Sequence, residues 1–292
     1  MMAFLKPLTT SPGVTFFKLC ARLRGLHFYG GCALLLCSWS AASETCDKGG
    51  LSTFVGTELS QWQENSNSGK RLVTETGRLQ TMGLAITARC KIADWTLSWS
   101  DSRGARDYAG ATNTGVAATT RSEIDHQKFL GSVLFHANES ISVGARLVHN
   151  SINRNILSNE FASGYFEHFQ WNDLSLGVQY TQALTPDLAW RAHYWHGRIL
   201  PGQSTVAFPN YSPASLSLGS GQTRELGLNL RKQLGAAEKG WAWSAAAHLR
   251  QDSISEGTPQ ALYKGSRVIG SAVQPEIQLR STWLIAKLDY VF

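Results

Sequence analysis

His149 and Ser151 have the residue types and the spacing of a general base and its nucleophile. In a β-strand, residues i and i+2 point to the same face, so the imidazole could take the proton of the hydroxyl. The activated serine would then attack an acyl ester, and Glu160 would have to reach back through a loop to orient the imidazole. The alternative is that all three are polar residues where a strand ends in a loop.

The triplet around His149 resembles the His-x-Ser element of outer-membrane lipid A deacylases and phospholipases, which implies a lipid acyl hydrolase. A second group of polar candidates invites comparison with the omptin proteases, ten-stranded outer-membrane barrels whose site uses an Asp-x-Asp and an Asp-x-His pair. The residues of this group are Asp101, Asp107, His193 and His196. Neither spacing occurs among them, so this resemblance is one of architecture only.

The composition excludes several other classes. The chain has 292 residues with 43% hydrophobic and only 16% charged residues, 27 Gly and 10 Trp, whereas soluble domains carry about 25% charged residues. Beyond the N-terminal region no apolar run approaches the 18 or more residues of a helical span, which excludes a multi-span helical protein. The sequence contains no P-loop, GxGxxG or metal-spaced His/Cys cluster, so we expect no nucleotide or metal cofactor.

Residues 1–43 have the order of a secretory signal peptide. Basic residues (Lys18, Arg22 and Arg24) precede a short apolar stretch at 30–39, and small residues lead to a cleavage point after Ser43. The basic part is long, so translation could start within it. Removing these residues takes away four basic residues and lowers the formal charge from +6 to +2. No basic patch then remains for nucleic acid.

Alternation with a period of two residues continues from there to the C-terminus and predicts strands. Near the C-terminus, for example, Trp241, Trp243 and Ala245 lie on one face of a strand, and Ser244 and Ala246 lie on the other. Residues 44–292 are therefore expected to form one all-β domain. The ten predicted segments are 51–61, 78–88, 94–103, 120–135, 140–150, 166–181, 188–198, 223–232, 241–251 and 277–292.

Short and long connections alternate between these segments, which is typical of an up-and-down membrane barrel with short periplasmic turns and long outer loops. The long connections are expected near 62–77, 104–119, 151–165, 199–222 and 252–276. Within the second of them, 106–115 is rich in Gly, Thr and Asn and either folds over the barrel mouth or is ordinary turn sequence. Aromatic residues near the segment ends fit the girdles of such barrels: Trp95, Trp99, Phe135, Trp171, Trp190, Tyr194, Trp241 and Tyr290.

The final segment carries the most specific signal. It ends at Phe292, and Tyr290 and Leu288 continue one apolar face at intervals of two. This resembles the C-terminal strand of bacterial outer-membrane β-barrel proteins, which their assembly machinery reads. The resemblance implies a ten-stranded antiparallel transmembrane barrel in the bacterial outer membrane. Its implied partners are the barrel-assembly machinery, membrane lipid and lipopolysaccharide.

Two cysteines remain after removal of the signal, Cys46 before the first strand and Cys90 after the second. An outgoing and a returning strand bring both to the same periplasmic edge, about 4.8 Å apart across the pair. In an exported protein such a pair predicts a disulfide.

The inward positions of the pattern carry charges of both signs. They predict either a salt-bridged polar plug or a narrow, porin-like channel, and the plug is favoured because about eight strands already fill a barrel with side chains. A non-enzymatic envelope protein is therefore the main expectation, and a hydrolase at the outer rim, omptin-like or acting on lipid, is the alternative. The predicted lumen residues are Glu58, Arg146, Arg191, His193, Glu225, Arg231, His248, Arg250, Lys287 and Asp289.

Overall fold

The computed structural model describes residues 46–111, 116–160, 162–208, 212–234 and 240–292. The predicted signal peptide and residues 112–115 lie outside these ranges. The described residues form an all-β structure, and none of their segments is a helix long and apolar enough to cross a bilayer. The strands are β1 Cys46–Asn65, β2 Arg71–Cys90, β3 Ala93–Ala111, β4 Ala117–His136, β5 Ile141–Ile156, β6 Tyr165–Ala183, β7 Leu188–Ile199, β8 Gly202–Ala207, β9 Ala214–Leu218, β10 Gly221–Gln233, β11 Gly240–Ile254, β12 Gln260–Lys264, β13 Arg267–Ala272 and β14 Glu276–Val291.

Ten of these strands form a closed antiparallel barrel in the order β5-β4-β3-β2-β1-β14-β11-β10-β7-β6, and a β5–β6 pairing completes the ring. From Glu58, stepping across paired residues through β2, β3 and β4 leads to Arg154 on β5. Stepping the other way round the barrel leads to Ser142 on the same strand. The end points are 12 residues apart, and this shear makes the strands tilt, as closure of a barrel requires.

The lower part of the barrel wall is apolar on its outside. Exposed leucine, isoleucine and valine side chains stand at alternate positions because the strand period is two. Such a band is favourable in contact with hydrocarbon and unfavourable in contact with water. Its members include Leu51, Val55, Leu84, Ile86, Leu97, Val143, Leu174, Leu176, Val178, Leu226, Leu228, Leu249, Leu284 and Leu288.

Above this band the hydrophobic face changes sides. On β1 the outward residues change from Leu59 to Gln61, whereas inward-facing Trp62 is completely buried. On β6 the outward residue above Leu174 is Asn172, and inward-facing Phe169 is completely buried. The upper wall is therefore polar outside and apolar inside, the arrangement of a barrel that stands in water.

This inversion explains why the predicted strands are too short. The predicted strands followed the apolar outward face. Their upper ends were therefore placed at residue 61 in β1, residue 78 in β2 and residue 103 in β3. The structure extends these strands to Asn65, Arg71 and Ala111. The connection predicted at 62–77 shrinks to a turn at 66–70, where Gly69 adopts a φ of 78°. The connections at 199–222 and 252–276 contain four further strands that the sequence did not predict, namely β8, β9, β12 and β13.

The two chain ends of the described barrel meet at its lower edge. A disulfide joins Cys46 to Cys90, as the strand order predicts. At the same edge the Gly49 amide donates to the Phe292 carbonyl over 3.1 Å, and the Phe292 amide donates to the Gly49 carbonyl over 3.0 Å. Tyr290 faces outward with its ring centroid 4.9 Å from that of Trp241.

Candidate functional site

The interior of the barrel holds charged side chains that bond to one another across strands. All ten predicted lumen residues lie on inward-facing positions. At the centre of the interior is Glu225 on β10. One of its carboxylate oxygens, Oε1, lies 2.9 Å from Nη1 of Arg146, 3.4 Å from Nε2 of His193 and 3.7 Å from Nδ1 of His248. Four strands thus contribute to one ionic group.

Arg250 extends this group toward the neighbouring acids. Its Nη2 donates to Asp173 over 2.6 Å, and its Nε donates to both oxygens of Asp252 over 2.9 and 3.0 Å. Thr223 donates to Asp252 over 2.6 Å, and Asn150 donates to Asp173 over 3.1 Å. These buried carboxylates therefore have the hydrogen-bond partners that buried charges need.

Glu58 is completely buried beside this group. It accepts hydrogen bonds from Ser281 over 2.6 Å and from the indole of Trp283 over 2.9 Å. The Lys128 ammonium lies 4.0 Å from the centre of the Trp283 ring. We call the charged set at this level the middle network; it consists of Glu58, Lys128, Arg146, Asp173, His193, Glu225, His248, Arg250 and Asp252.

A separate set of charges lies near the lower end. Asp289 accepts from Ser52 over 2.6 Å, lies 3.0 Å from the Lys287 ammonium and is 3.8 Å from Nε of Arg231. Arg191 faces the same region, so the structure divides the ten predicted residues between two levels.

An apolar layer lies above the middle network and consists of residues that the sequence reading did not place inside. Trp62 and Phe169 pack with ring centroids 5.1 Å apart. Trp171 was predicted to belong to an outer aromatic girdle, but it is 2% exposed and lies in this layer. It follows Phe169 by two residues on β6, so both side chains point into the barrel. The layer consists of Trp62, Leu79, Ile124, Ile152, Phe169, Trp171, Ile199, Leu218, Ile254, Ile277 and Leu279.

A third set of charges, the upper cluster, lies at the top of this layer. The Arg154 guanidinium contacts three carboxylates, at 2.5 Å from Glu64, 3.0 Å from Glu75 and 2.9 Å from Glu167. Arg106 lies 3.6 Å from Glu75. None of these five residues was predicted. Four of them lie beyond the predicted ends of their strands, and Glu167 lies within the predicted segment 166–181 but was not named as a lumen residue. The strand period could have located one of them. Glu64 follows Trp62 by two residues, so both side chains point to the inside of the barrel.

Comparison with known proteins identifies the architecture. No family model and no curated protein matches the sequence. Among solved structures, the outer membrane protease OmpT from Escherichia coli superposes with a TM-score of 0.59 at 10% identity, covering 85% of this chain and 98% of OmpT. The chain has an outer-membrane β-barrel fold.

Other outer-membrane barrels align less well. The translocator domain of the autotransporter NalP from Neisseria meningitidis has a TM-score of 0.42 at 12% identity, covering 89% of this chain and 95% of that domain. The outer membrane protein OprG from Pseudomonas aeruginosa has a TM-score of 0.35 at 10% identity, covering 85% of this chain and 97% of its own. The fold assignment rests on the first comparison, and the apolar outer band is the surface that barrels of this fold turn toward lipid.

The predicted protease residues are not brought together. Asp101, Asp107 and His196 face outward on the wall, and His193 faces the lumen. Asp101, itself almost completely buried, pairs with the exposed Arg103 over 2.9 Å on the outward side of the wall. Residues on opposite sides of one wall cannot share a substrate, so the four residues do not form one site.

The His149–Ser151 pair lies on the outer surface, directly above the last lipid-facing residue of β5, Leu147. His149 Nδ1 donates to Oδ1 of Asn172 over 3.0 Å, and Asn172 is the residue opposite His149 in the β5–β6 pairing. Ser151 lies on the same face. Glu160, the orienting acid considered from sequence, is exposed in the link at 157–164, and Asn172 takes that position instead.

Burial changes the ionisation of the upper cluster, which stands outside the lipid band. Desolvation raises the pKa of Glu167 to about 8, against the opposing charge of Arg154 and with the added repulsion of Glu64 and Glu75. Burial also lowers the pKa of Arg106, and the Glu75 carboxylate offsets part of that effect. With Glu167 protonated, two guanidinium groups face two carboxylates and the charges of the upper cluster balance.

Proposed function

We propose that this chain is an outer-membrane envelope protein whose lumen is closed to solutes and which acts at its outer surface. The observation that carries the proposal is the apolar layer. Its members come from β1, β2, β4, β5, β6, β7, β11 and β14 of the barrel and from β9. A layer contributed by eight of the ten barrel strands occupies the cross-section with side chains that cannot replace the hydration shell of an ion.

The middle network adds a second obstacle below the layer. Its arginines are bonded to carboxylates from neighbouring strands, including Arg250 to Asp173 over 2.6 Å and Arg146 to Glu225 over 2.9 Å. A passing ion would have to break these buried pairs, and removing one partner of such a pair costs about 3–5 kcal/mol. This favours the plug over the narrow channel.

Planar-bilayer recording tests the closed lumen. The purified barrel should show no steady conductance, and the double variant Trp62→Ala with Phe169→Ala should conduct because it removes two rings of the apolar layer. The matched control is Tyr194→Ala with Tyr263→Ala, which removes two exposed rings from outside the lumen and leaves the last strand unchanged. Steady, ion-selective conductance of the unaltered protein would show that the lumen is open.

A second candidate function, hydrolysis of acyl esters in outer-leaflet lipids, is favoured by the contact between His149 and Asn172. The Asn172 oxygen fixes the proton on Nδ1, so the other ring nitrogen is the one that would take a proton from Ser151. In the proposed membrane placement, the site adjoins the upper edge of the lipid-facing wall, which is the side where the ester groups of outer-leaflet lipids would lie.

The chemistry would follow the usual order for an activated serine. The Ser151 oxygen attacks the acyl carbonyl and gives its proton to His149, which then protonates the leaving alcohol. Water releases the fatty acid from the acyl-enzyme. Gln127 and Gln170 are the residues opposite Ser151 on the two neighbouring strands, and their amide groups are suited to donate hydrogen bonds to the oxyanion.

Release of fatty acid from phospholipid and from lipid A in mixed micelles tests this candidate. Ser151→Ala and His149→Ala should each lower the rate by about 10³-fold or more. The matched control is His168→Ala, because His168 Nδ1 makes the same kind of contact, 2.7 Å to Oδ1 of Asn153, on the same wall. Release of fatty acid that persists unchanged in Ser151→Ala, or no release by the unaltered protein, would eliminate the hydrolase.

A further inference from the structure

Two histidines and a glutamate converge in the lumen from three neighbouring strands. His193 lies on β7, Glu225 on β10 and His248 on β11. One ligand atom from each, an imidazole nitrogen or a carboxylate oxygen, lies within 4.8 Å of the other two. The strand pairing that places Gly227 opposite both His193 and His248 fixes this convergence.

The spacing of these atoms fits a tetrahedral metal ion. Glu225 Oε1 is 3.4 Å from His193 Nε2 and 3.7 Å from His248 Nδ1. Around tetrahedral zinc, with bonds of about 2.0–2.2 Å, neighbouring ligand atoms stand roughly 3.3–3.5 Å apart. The two glutamate–histidine distances therefore lie within a few tenths of an ångström of this value. The two imidazole nitrogens, which lie within 4.8 Å of each other, would close up around the ion.

Gly227 provides the space in which the two rings meet. A Cβ at this position would lie 2.3 Å from Nε2 of His193 and 2.8 Å from Nδ1 of His248. The ring centroids are 5.2 Å apart. The two imidazole nitrogens thus approach each other over a backbone position that carries no side chain.

The surrounding charges leave room for a cation. Counted with both histidines neutral and every other group in its ordinary charge state, the middle network holds three basic side chains against four carboxylates, a formal excess of one negative charge. Arg146 shares Glu225 Oε1 over 2.9 Å. A carboxylate oxygen has two lone pairs, so this contact can remain as an outer-shell hydrogen bond that orients the ligand.

We propose that His193, Glu225 and His248 bind one divalent transition-metal ion, with zinc as the preferred ion. Two imidazoles and one carboxylate form a borderline-soft ligand set of the kind zinc takes when its fourth position stays open. The three side chains are 14%, 12% and 21% exposed within the lumen, so the open position faces the lumen space.

Titration of the untagged, chelator-treated and refolded barrel with ZnCl₂ tests the site. Calorimetry should show one ion per chain, and X-ray absorption at the zinc edge should show a nitrogen and oxygen shell with two imidazoles. His193→Ala and His248→Ala should each weaken binding by at least 100-fold. Gly227→Ala should weaken it too, because the added Cβ displaces both rings while every ligand remains.

His136→Ala is the matched control, since His136 also faces inward but lies near the lower edge beside Asp94. The affinity of this variant for zinc should equal that of the unaltered protein. Heat-modifiable migration shows that each variant is folded. If a variant does not fold, the X-ray absorption spectrum of the unaltered protein still shows whether imidazoles bind the zinc ion. No zinc bound to the unaltered protein, or a spectrum without imidazole, would overturn the proposal. Unchanged affinity in a folded His193→Ala, His248→Ala double variant would do the same.

Discussion

The Glu167 carboxylate lies 2.9 Å from Nη1 of Arg154 inside the upper wall, where both side chains are almost completely buried. Arg154 is shared with Glu64 and Glu75, so three acids compete for the positive charge of two arginines. Burial raises the pKa of the third acid, Glu167, to about 8, which favours its neutral form near pH 7. We therefore expect a buried proton in the upper barrel at physiological pH.

This proton makes stability depend on pH. The folded pKa of Glu167, about 8, lies above its ordinary value of 4.5, so the stabilisation is complete below about pH 4.5 and is lost as the pH rises through about 8. We expect the free energy of unfolding to fall between pH 5 and pH 9 by on the order of 4 kcal/mol. Glu167→Gln should remove most of this slope in urea titrations. An identical slope in the variant would assign the effect to other groups.

Arg154→Ala should destabilise the barrel by about 3–5 kcal/mol, because it leaves buried carboxylates without their counter-charge. The control is Arg121→Ala, whose side chain is exposed on the outside of β4 and whose loss should change stability by about 0.5 kcal/mol or less. Urea unfolding followed by heat-modifiable migration gives both values. Equal midpoints for the two variants would show that the upper cluster contributes nothing to stability.

The disulfide predicts a clear chemical result. Cys46 and Cys90 are 44 residues apart, and the chain-entropy relation gives about 4 kcal/mol as the upper value for such a cross-link. Alkylation of the mature protein without reductant should modify neither thiol, and Cys46→Ser should lower the unfolding midpoint. Complete alkylation of both thiols in the folded, unreduced protein would contradict the bond.

Phe292 and Gly49 form a testable pair at the lower edge. A Cβ at Gly49 would lie 2.4 Å from the Phe292 ring, so Gly49→Val should displace the terminal ring and lower the yield of folded barrel. Phe292→Asp should have the larger effect because it also removes the apolar end of β14. The control is Tyr263→Asp, which alters an exposed ring on the β12–β13 hairpin. Normal yields for Phe292→Asp would count against a role of the last strand in assembly.

The sequence specified the lower barrel better than the upper one. Alternation such as Leu174, Leu176 and Val178 located the lipid-facing strands, and strand direction located the disulfide. Above the apolar outer band, the same strands continue with opposite polarity, so a pattern defined by outward apolar residues ended too early.

The polar sites were predictable only in part. The two-residue alternation of a strand assigned Glu225 and His248 to the interior. Their contact with His193, however, depends on the register between three strands. Local spacing does not record that register. The contact between His149 and Asn172, 23 residues apart, is of the same kind: only the β5–β6 pairing shows that an amide, and not Glu160, holds the imidazole.

The bonds that Glu58 accepts also determine when this barrel can close. Their donors, Ser281 and Trp283, follow Glu58 by 223 and 225 residues, and β1 pairs with β14 along most of its length. Until the last strand exists, β1 has one edge without a partner and Glu58 lacks both of its donors. Contacts so distant in sequence form slowly because a long loop must first be brought together. Joining β1 to β14 must therefore be a late event in folding, and it cannot begin before β14 has been synthesised.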